Sequence, residues 1–188
     1  QNRLRLQEDA VFALFYLGSL SLGLIIANKG GDEVHLEEIL FGHLMSLDNF
    51  ALFLCALAAI ISTIAIFFIY QPLLANSVDK NFLAHNPKIK AAKVLFYIVL
   101  ALVSVASFQA LGTLLSVGLF IGPAICAKYW GKSVKGQIFI SAIFGILAII
   151  IGILISLVIK ASPSPIIVLL LVISAFTSAL IKADYAKT

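Results

Sequence analysis

Charge and apolarity fall in long blocks along this chain. Five stretches contain no Asp, Glu, Lys or Arg: 10–28, 49–78, 94–127, 136–159 and 161–181. A helix that crosses a bilayer needs about 20 apolar residues, because the hydrocarbon core is roughly 30 Å thick and a helix rises about 1.5 Å per residue. Stretch 94–127 is too long for one crossing, since as a single helix it would measure about 51 Å. Gly112 sits near its middle, between Gln109 and Thr113. We therefore read one span ending at Leu111 and a shorter segment, returning or re-entrant, from Thr113 to Ala127. Irregular backbone at that depth is tolerated only where it is buried in protein or faces water. The pattern predicts six crossings, near 10–27, 49–70, 94–111, 113–127, 137–159 and 166–181. The fold class is an all-α integral membrane protein with a broken or re-entrant pair around Gly112, in one transmembrane domain spanning residues 1–188.

The basic residues orient these spans. With the N-terminus inside, the inner segments hold Arg3, Arg5, Lys80, Lys88, Lys90, Lys93, Lys128, Lys132, Lys135, Lys182 and Lys187, and the outer ones only Lys29 and Lys160. Short cytoplasmic loops carry the excess of Lys and Arg, so both termini are expected in the cytoplasm. Two loops are long enough for structure of their own. In the outer loop 28–48, Gly30 and Gly31 break the first helix, and Leu36, Ile39, Leu40, His43 and Leu44 fall at helical spacing, which predicts a short surface helix. In the inner loop 71–93, Asn76 or Ser77 caps a helix that Pro87 stops, and Leu74, Val78 and Phe82 form one apolar stripe along it.

Composition sharpens the class. The chain is 62% apolar and 12% charged, with a mean hydropathy of +1.11, against roughly 45–50% and about 25% in soluble domains. This excludes a disordered chain, a coiled coil and an ordinary cytosolic enzyme. The net charge of +4 resides in short loops between spans, so it speaks for membrane orientation and not for nucleic acid. Cys55 and Cys126 both lie in apolar runs and offer neither a disulfide framework nor metal-ligand spacing. The polar stretch Gln1–Ala10 is no cleavable signal segment, and residue 1 is not Met, so the sequence is expected to be a piece of a longer or processed chain.

No span carries an ionisable residue at its centre, which argues against proton coupling within these residues. The sequence holds no phosphate-binding glycine loop, no H-E-x-x-H and no G-x-S-x-G. Energy for uphill transport must come from another chain. The Ser and Thr residues within spans bond back to their own backbone or to a neighbouring helix. Gln109 is more demanding, and either lines an aqueous path or bonds a neighbouring helix. Gly118 and Gly122 stand four apart, a spacing that lets backbones approach closely, either within one subunit or at a dimer seam or pore wall. Pro123 is expected to break the helix just after Gly122, and Gly145 and Gly152 mark a further close contact on the fifth span. Asp32, Glu33, His35 and His43 on the outer loop supply oxygen and imidazole donors that suit a divalent cation at the entrance; the same residues also read as a solvated acidic surface. His85 reads as inner surface.

At 107–124 the residues run Ser-Phe-Gln-Ala-Leu-Gly-Thr-Leu-Leu-Ser-Val-Gly-Leu-Phe-Ile-Gly-Pro-Ala. This block resembles the permease subunits of ATP-binding-cassette transporters for zinc, manganese and iron, on Gly112-Thr113-Leu114-Leu115, Pro123-Ala124 and the following Lys128. The resemblance continues in order along the chain through Glu8-Asp9, Leu22-Gly23-Leu24, Leu40-Phe41-Gly42, Asp79 to Ala84, and Pro163-Ser164-Pro165. It implies a homodimer in the bacterial inner (plasma) membrane, a cytoplasmic ATPase subunit that binds ATP, and an extracytoplasmic metal-binding protein. It also implies a divalent metal ion as cargo with no cofactor held by this chain, and a cytoplasmic coupling loop at 71–93 whose Val78, Asp79, Phe82, Leu83 and Ala84 meet the ATPase.

There are three departures from the pattern. Such permeases are about half as long again, and their N-terminal third carries a Gly-Asp-x-x-x-His motif that is absent here. His43 follows the outer Leu-Phe-Gly where an acidic or small residue is usual, and Ser164 replaces a Gly. The rival readings are a permease for siderophore, haem or cobalamin, and a non-transporting membrane scaffold. Orientation is open to direct test. Single cysteines introduced at Asp32 and at Lys88 in a cysteine-free background should react with an impermeant thiol reagent from opposite faces of the membrane; labelling of position 88 from outside intact cells contradicts the topology.

Overall fold

A computed structural model of the chain describes residues 8–28, 49–78, 87–131, 133–159 and 161–185. These residues form six helices and no strand. The helices are α1 (Glu8–Asn28), α2 (Asn49–Val78), α3 (Pro87–Leu111), α4 (Thr113–Trp130), α5 (Val134–Ile159) and α6 (Pro163–Tyr185). Each is long and apolar enough to cross a membrane. The helices overrun the predicted spans at several ends. Charge-free windows trace the hydrocarbon core, whereas helical hydrogen bonding continues into the interface, where charged side chains remain solvated.

Pro123 behaves differently from expectation, one helix start is displaced, and the segment that Pro87 was expected to stop lies, at 79–86, outside the described residues. Asn76, Ser77 and Val78 are the last residues of α2 and do not begin a new helix. Pro87 is the first residue of α3, a position where the missing N–H costs nothing and the fixed φ suits the helix. Pro123 lies inside α4, which continues unbroken to Trp130. Prolines are tolerated in membrane helices because neighbouring groups take up the freed backbone.

The break at Gly112 is real and is one residue wide. Gly112 has φ 80° and ψ 164°, a conformation essentially restricted to glycine. Its carbonyl then receives both the Ser116 N–H at 3.3 Å and the Ser116 hydroxyl at 2.7 Å, so the first turn of α4 is closed by a buried serine. The next connection is as tightly made. Gly131 donates to the Ala127 carbonyl at 2.8 Å, and the Gln137 carboxamide donates to the Gly131 carbonyl at 3.2 Å. Ser133 caps α5 by accepting from the Gly136 N–H at 3.1 Å. At the far end of α5 the Ser156 hydroxyl donates to the Ala161 carbonyl at 2.5 Å, while the Ala161 N–H donates to the Ser156 carbonyl at 3.3 Å.

Contacts gather into two compact units, residues 1–44 with 111–188 and residues 45–110. In the first, α6 packs on α1, α4 and α5, and α4 packs on α1 and α5. Its core takes Leu14, Leu17 and Leu24 from α1, Leu114, Leu115 and Cys126 from α4, Ala148 from α5, and Val168, Leu171 and Ala175 from α6. The α4 span is 56% buried and the α5 span 11%. The difference follows composition. The interior helix α4 carries Ser116, Gly118, Gly122 and Pro123, all buried, while α5 exposes Ile138, Phe139, Ile146, Leu154, Leu157 and Val158, which hydrocarbon accepts without cost. The second unit holds α2 and α3, with the Cys55 thiol directed to the Ala106 carbonyl at 3.6 Å.

Any side chain at Gly112 is forced into a strained backbone. Gly112→Ala should therefore cost about 1–3 kcal/mol, read as a lowered thermal midpoint of the purified protein, while an alanine at Gly23, whose Cβ would meet nothing within 4 Å, should leave it unchanged.

Candidate functional site

The described part of the site is a seam of glycines directed at α6. A Cβ added to Gly118 would lie 3.1 Å from Val168 Cγ2, and one on Gly122 would lie 2.9 Å from Leu171 Cβ. Gly18 on α1 faces Val172 Cγ1 at 3.0 Å in the same sense, and a Cβ on Gly152 of α5 would collide with Ile167. Branched side chains of α6 thus occupy holes on three neighbouring helices. Gly118 and Gly122 lie against a helix of their own chain. Pro123 is buried, and a Cβ on Gly145 would lie 3.7 Å from its ring.

Polar groups inside the spans are mostly satisfied locally. The hydroxyls of Ser19, Ser62, Thr63, Ser104 and Thr177 donate to carbonyls three or four residues earlier. Ser174 donates to the Leu171 carbonyl at 2.8 Å and lies 3.5 Å from the Cys126 sulfur, which links α6 to α4. Ser21 differs: its hydroxyl is fully buried and is the buried side-chain oxygen without a partner among the described residues.

Gln109 is exposed on α3 and lines a groove of about 430 Å³ between α2 and α3. The rest of that lining is apolar, including Leu54, Leu57, Ile61, Leu102 and Val105. Gln109 belongs to the second unit and the glycine seam to the first. Val78 closes α2. Asp32, Glu33, His35 and His43, and likewise Asp79, Phe82, Leu83 and Ala84, lie outside the described residues. Among those described, no group of three or more His, Cys, Asp or Glu side chains is arranged to hold a metal ion.

Sequence reasoning passed over Gly18 and Ser156, and it expected the Ser21 hydroxyl, like the others in the spans, to bond to its own backbone or a neighbouring helix, which the structure does not bear out. The signal at Gly18 was its pairing with Ser21 three residues on along α1, overlooked because it lacks the four-residue glycine spacing. Ser156 gave no signal beyond standing near the end of an apolar run, since its role depends on the carbonyl of Ala161.

Sequence comparisons identify the family. The ABC 3 transport family matches residues 1–182, and the chain belongs to that family. It is 29% identical over 151 residues to the manganese import system permease protein ScaB of Streptococcus gordonii, covering 80% of this chain and 54% of that protein. It is 26% identical over 167 residues to the manganese transport system membrane protein MntC of Halalkalibacterium halodurans, covering 88% and 57%. It is 29% identical over 169 residues to a probable iron transport system membrane protein of Haemophilus influenzae, covering 88% and 62%. The chain thus spans little more than half the length of these relatives.

The seam predicts a graded response. Gly122→Leu, aimed at Leu171, should lower stability by about 1–3 kcal/mol or prevent assembly, with Gly118→Leu close behind and Gly23→Leu near neutral. Size-exclusion profiles and thermal midpoints of the three purified variants provide the comparison; equal behaviour at 23 and 122 contradicts the seam.

Proposed function

We propose that this chain is part of the membrane-spanning permease of an ATP-binding-cassette importer for divalent transition metals, manganese or iron, in the bacterial plasma membrane. The observation that carries this reading is the family match over residues 1–182, joined to relatives whose names specify manganese and iron import. Zinc, the third metal of the resemblance, is the finer possibility. The six helices fit a multi-pass permease, and two copies would form the transport unit.

The mechanism follows from what the chain lacks in sequence and offers in surface. With no phosphate-binding motif of its own, it draws energy from a partner ATPase acting on the cytoplasmic side. Residues Val78, Asp79, Phe82, Leu83 and Ala84 are the proposed contact. Movement of that contact shifts the helices between inward- and outward-open states. On the outer side, Asp32, Glu33, His35 and His43 receive the cation from a metal-binding protein, their carboxylate and imidazole donors being suited to manganese or iron.

One relative favours a second reading. The chain is 28% identical over 170 residues to the chelated iron transport system membrane protein YfeD of Yersinia pestis, covering 88% of this chain and 56% of that one, so the cargo could arrive as a chelate. Cells carrying the complete transport system discriminate between the two. Uptake of radiolabelled free manganese or iron should be lost on deletion of the permease and restored by its return; rescue by chelated metal alone selects the second reading. In the same cells Ala84→Trp should abolish uptake while the permease still inserts, and the His35→Ala/His43→Ala pair should reduce uptake only at limiting metal. Unchanged uptake in all of these strains removes the assignment.

A further inference from the structure

Along α1 the buried positions include Leu14, Leu17, Ser21 and Leu24, spaced three, four and three apart. One hydroxyl thus stands in a stripe of leucines that belong to the core. It is fully buried, and its oxygen has no hydrogen-bond partner. Ser19 on the same helix, and Thr63, Ser104 and Ser116 elsewhere, each bond a carbonyl three or four residues earlier, the ordinary resort of a helical hydroxyl. Leaving the group unmatched costs free energy that no water repays inside a membrane. The cost attaches to this placement of α1; a placement that lets the hydroxyl reach a carbonyl is free of it.

The neighbours of α6 differ in how firmly they hold it. Toward α4, Val168 and Leu171 fill the holes at Gly118 and Gly122, the Ser174 hydroxyl lies 3.5 Å from the Cys126 sulfur, and the buried Ser116 hydroxyl is bonded. Toward α1, Val172 fills the hole at Gly18 and the buried hydroxyl is unmatched. The α1 span is 28% buried, against 56% for α4 and 50% for α6, so less contact is given up when α1 moves.

We propose that the α1–α6 seam is a moving joint: α1 leaves its described place on α6 during the transport cycle, the unmatched Ser21 hydroxyl biases it to do so, and α4 and α6 move as one body. The proposal rests on the reading of the chain as a transporter's permease. It makes Ser21 a positioning residue that acts through the balance between two placements of α1.

Disulfides read the joint directly. A Cβ on Gly18 would lie 3.8 Å from Val172 Cβ, and one on Gly118 would lie 3.7 Å from Val168 Cβ, both within the roughly 3.5–4.5 Å that a disulfide bridges. Gly18→Cys/Val172→Cys and Gly118→Cys/Val168→Cys are each placed in a cysteine-free form of the complete transporter. Oxidative cross-linking is timed without nucleotide and after trapping with ATP and vanadate. The 18/172 rate should differ between the two states by about fivefold or more, and the 118/168 rate by less than about twofold. Ser21→Ala should narrow the 18/172 difference. In the otherwise unaltered protein it should also raise the thermal midpoint by roughly 2 °C or more, because it relieves the described placement alone. Ser19→Ala makes the same change at an exposed, already bonded hydroxyl of α1, and should leave the midpoint within about 1 °C. The midpoint comparison replaces no glycine, so a poorly folding cysteine pair does not shelter the proposal. Equal 18/172 rates in the two states overturn it, as does an equal nucleotide dependence of the two pairs, or a Ser21→Ala midpoint at or below that of the unaltered protein. Cross-linking and midpoints are read without metal, so failure here leaves the transport reading standing. Absence of metal uptake by a transporter whose 18/172 rate still responds to nucleotide removes the cargo assignment and keeps the joint.

Discussion

Two apolar helices surrounded by lipid gain no hydrophobic free energy by meeting, because lipid tails are as apolar as leucine. What they gain is contact, and contact requires that backbones come close. Here that condition is met by glycines at 18, 118, 122 and 152, each receiving a side chain of α6. The arrangement of α1, α4, α5 and α6 depends on this repeated fit of a branched side chain into a glycine hole. It explains why α4, the least apolar helix, is the most buried, and why the strongly apolar α5 faces outward over most of its surface.

The same environment governs the polar groups. A hydroxyl or carbonyl in hydrocarbon has no water to turn to, and an unmatched one costs several kcal/mol. The chain answers locally. Ser116 closes the backbone at Gly112, Ser156 closes the end of α5, and Ser133 with Gln137 closes the turn before it. Ser21 departs from this economy, being buried without a bond, and it sits one turn from Gly18 on the face of α1 that carries Leu14, Leu17 and Leu24. At this seam close packing and an unmatched hydroxyl lie side by side.

The number of spans and the break at Gly112 were legible because they depend on length and on a single residue's conformational freedom. A charge-free run too long for one crossing must bend, and glycine is where it bends. The exact helix ends were not legible, since they depend on hydrogen bonds such as Gln137 to Gly131 that no hydropathy pattern records. Pro123 was read by its local rule and proved subordinate to its surroundings, buried in a helix that continues past it. The glycines at 118 and 122 announced a close approach, but their partner was hidden: nothing in a four-residue spacing names Val168 and Leu171 on a helix some fifty residues further on. The candidate metal and coupling residues rest on resemblance and loop chemistry alone.

One consequence concerns the order in which the molecule is made. The holes lie on α1, α4 and α5; the side chains that fill them lie on α6, which follows all three along the chain. Synthesis proceeds from the N-terminus, so during insertion the earlier helices stand in the bilayer with their glycine faces open and their tightest contacts unmade. Assembly of this unit is therefore a late event, decided when the last of the six described helices arrives. A chain that stops before residue 163 lacks the element whose side chains fill the glycine holes.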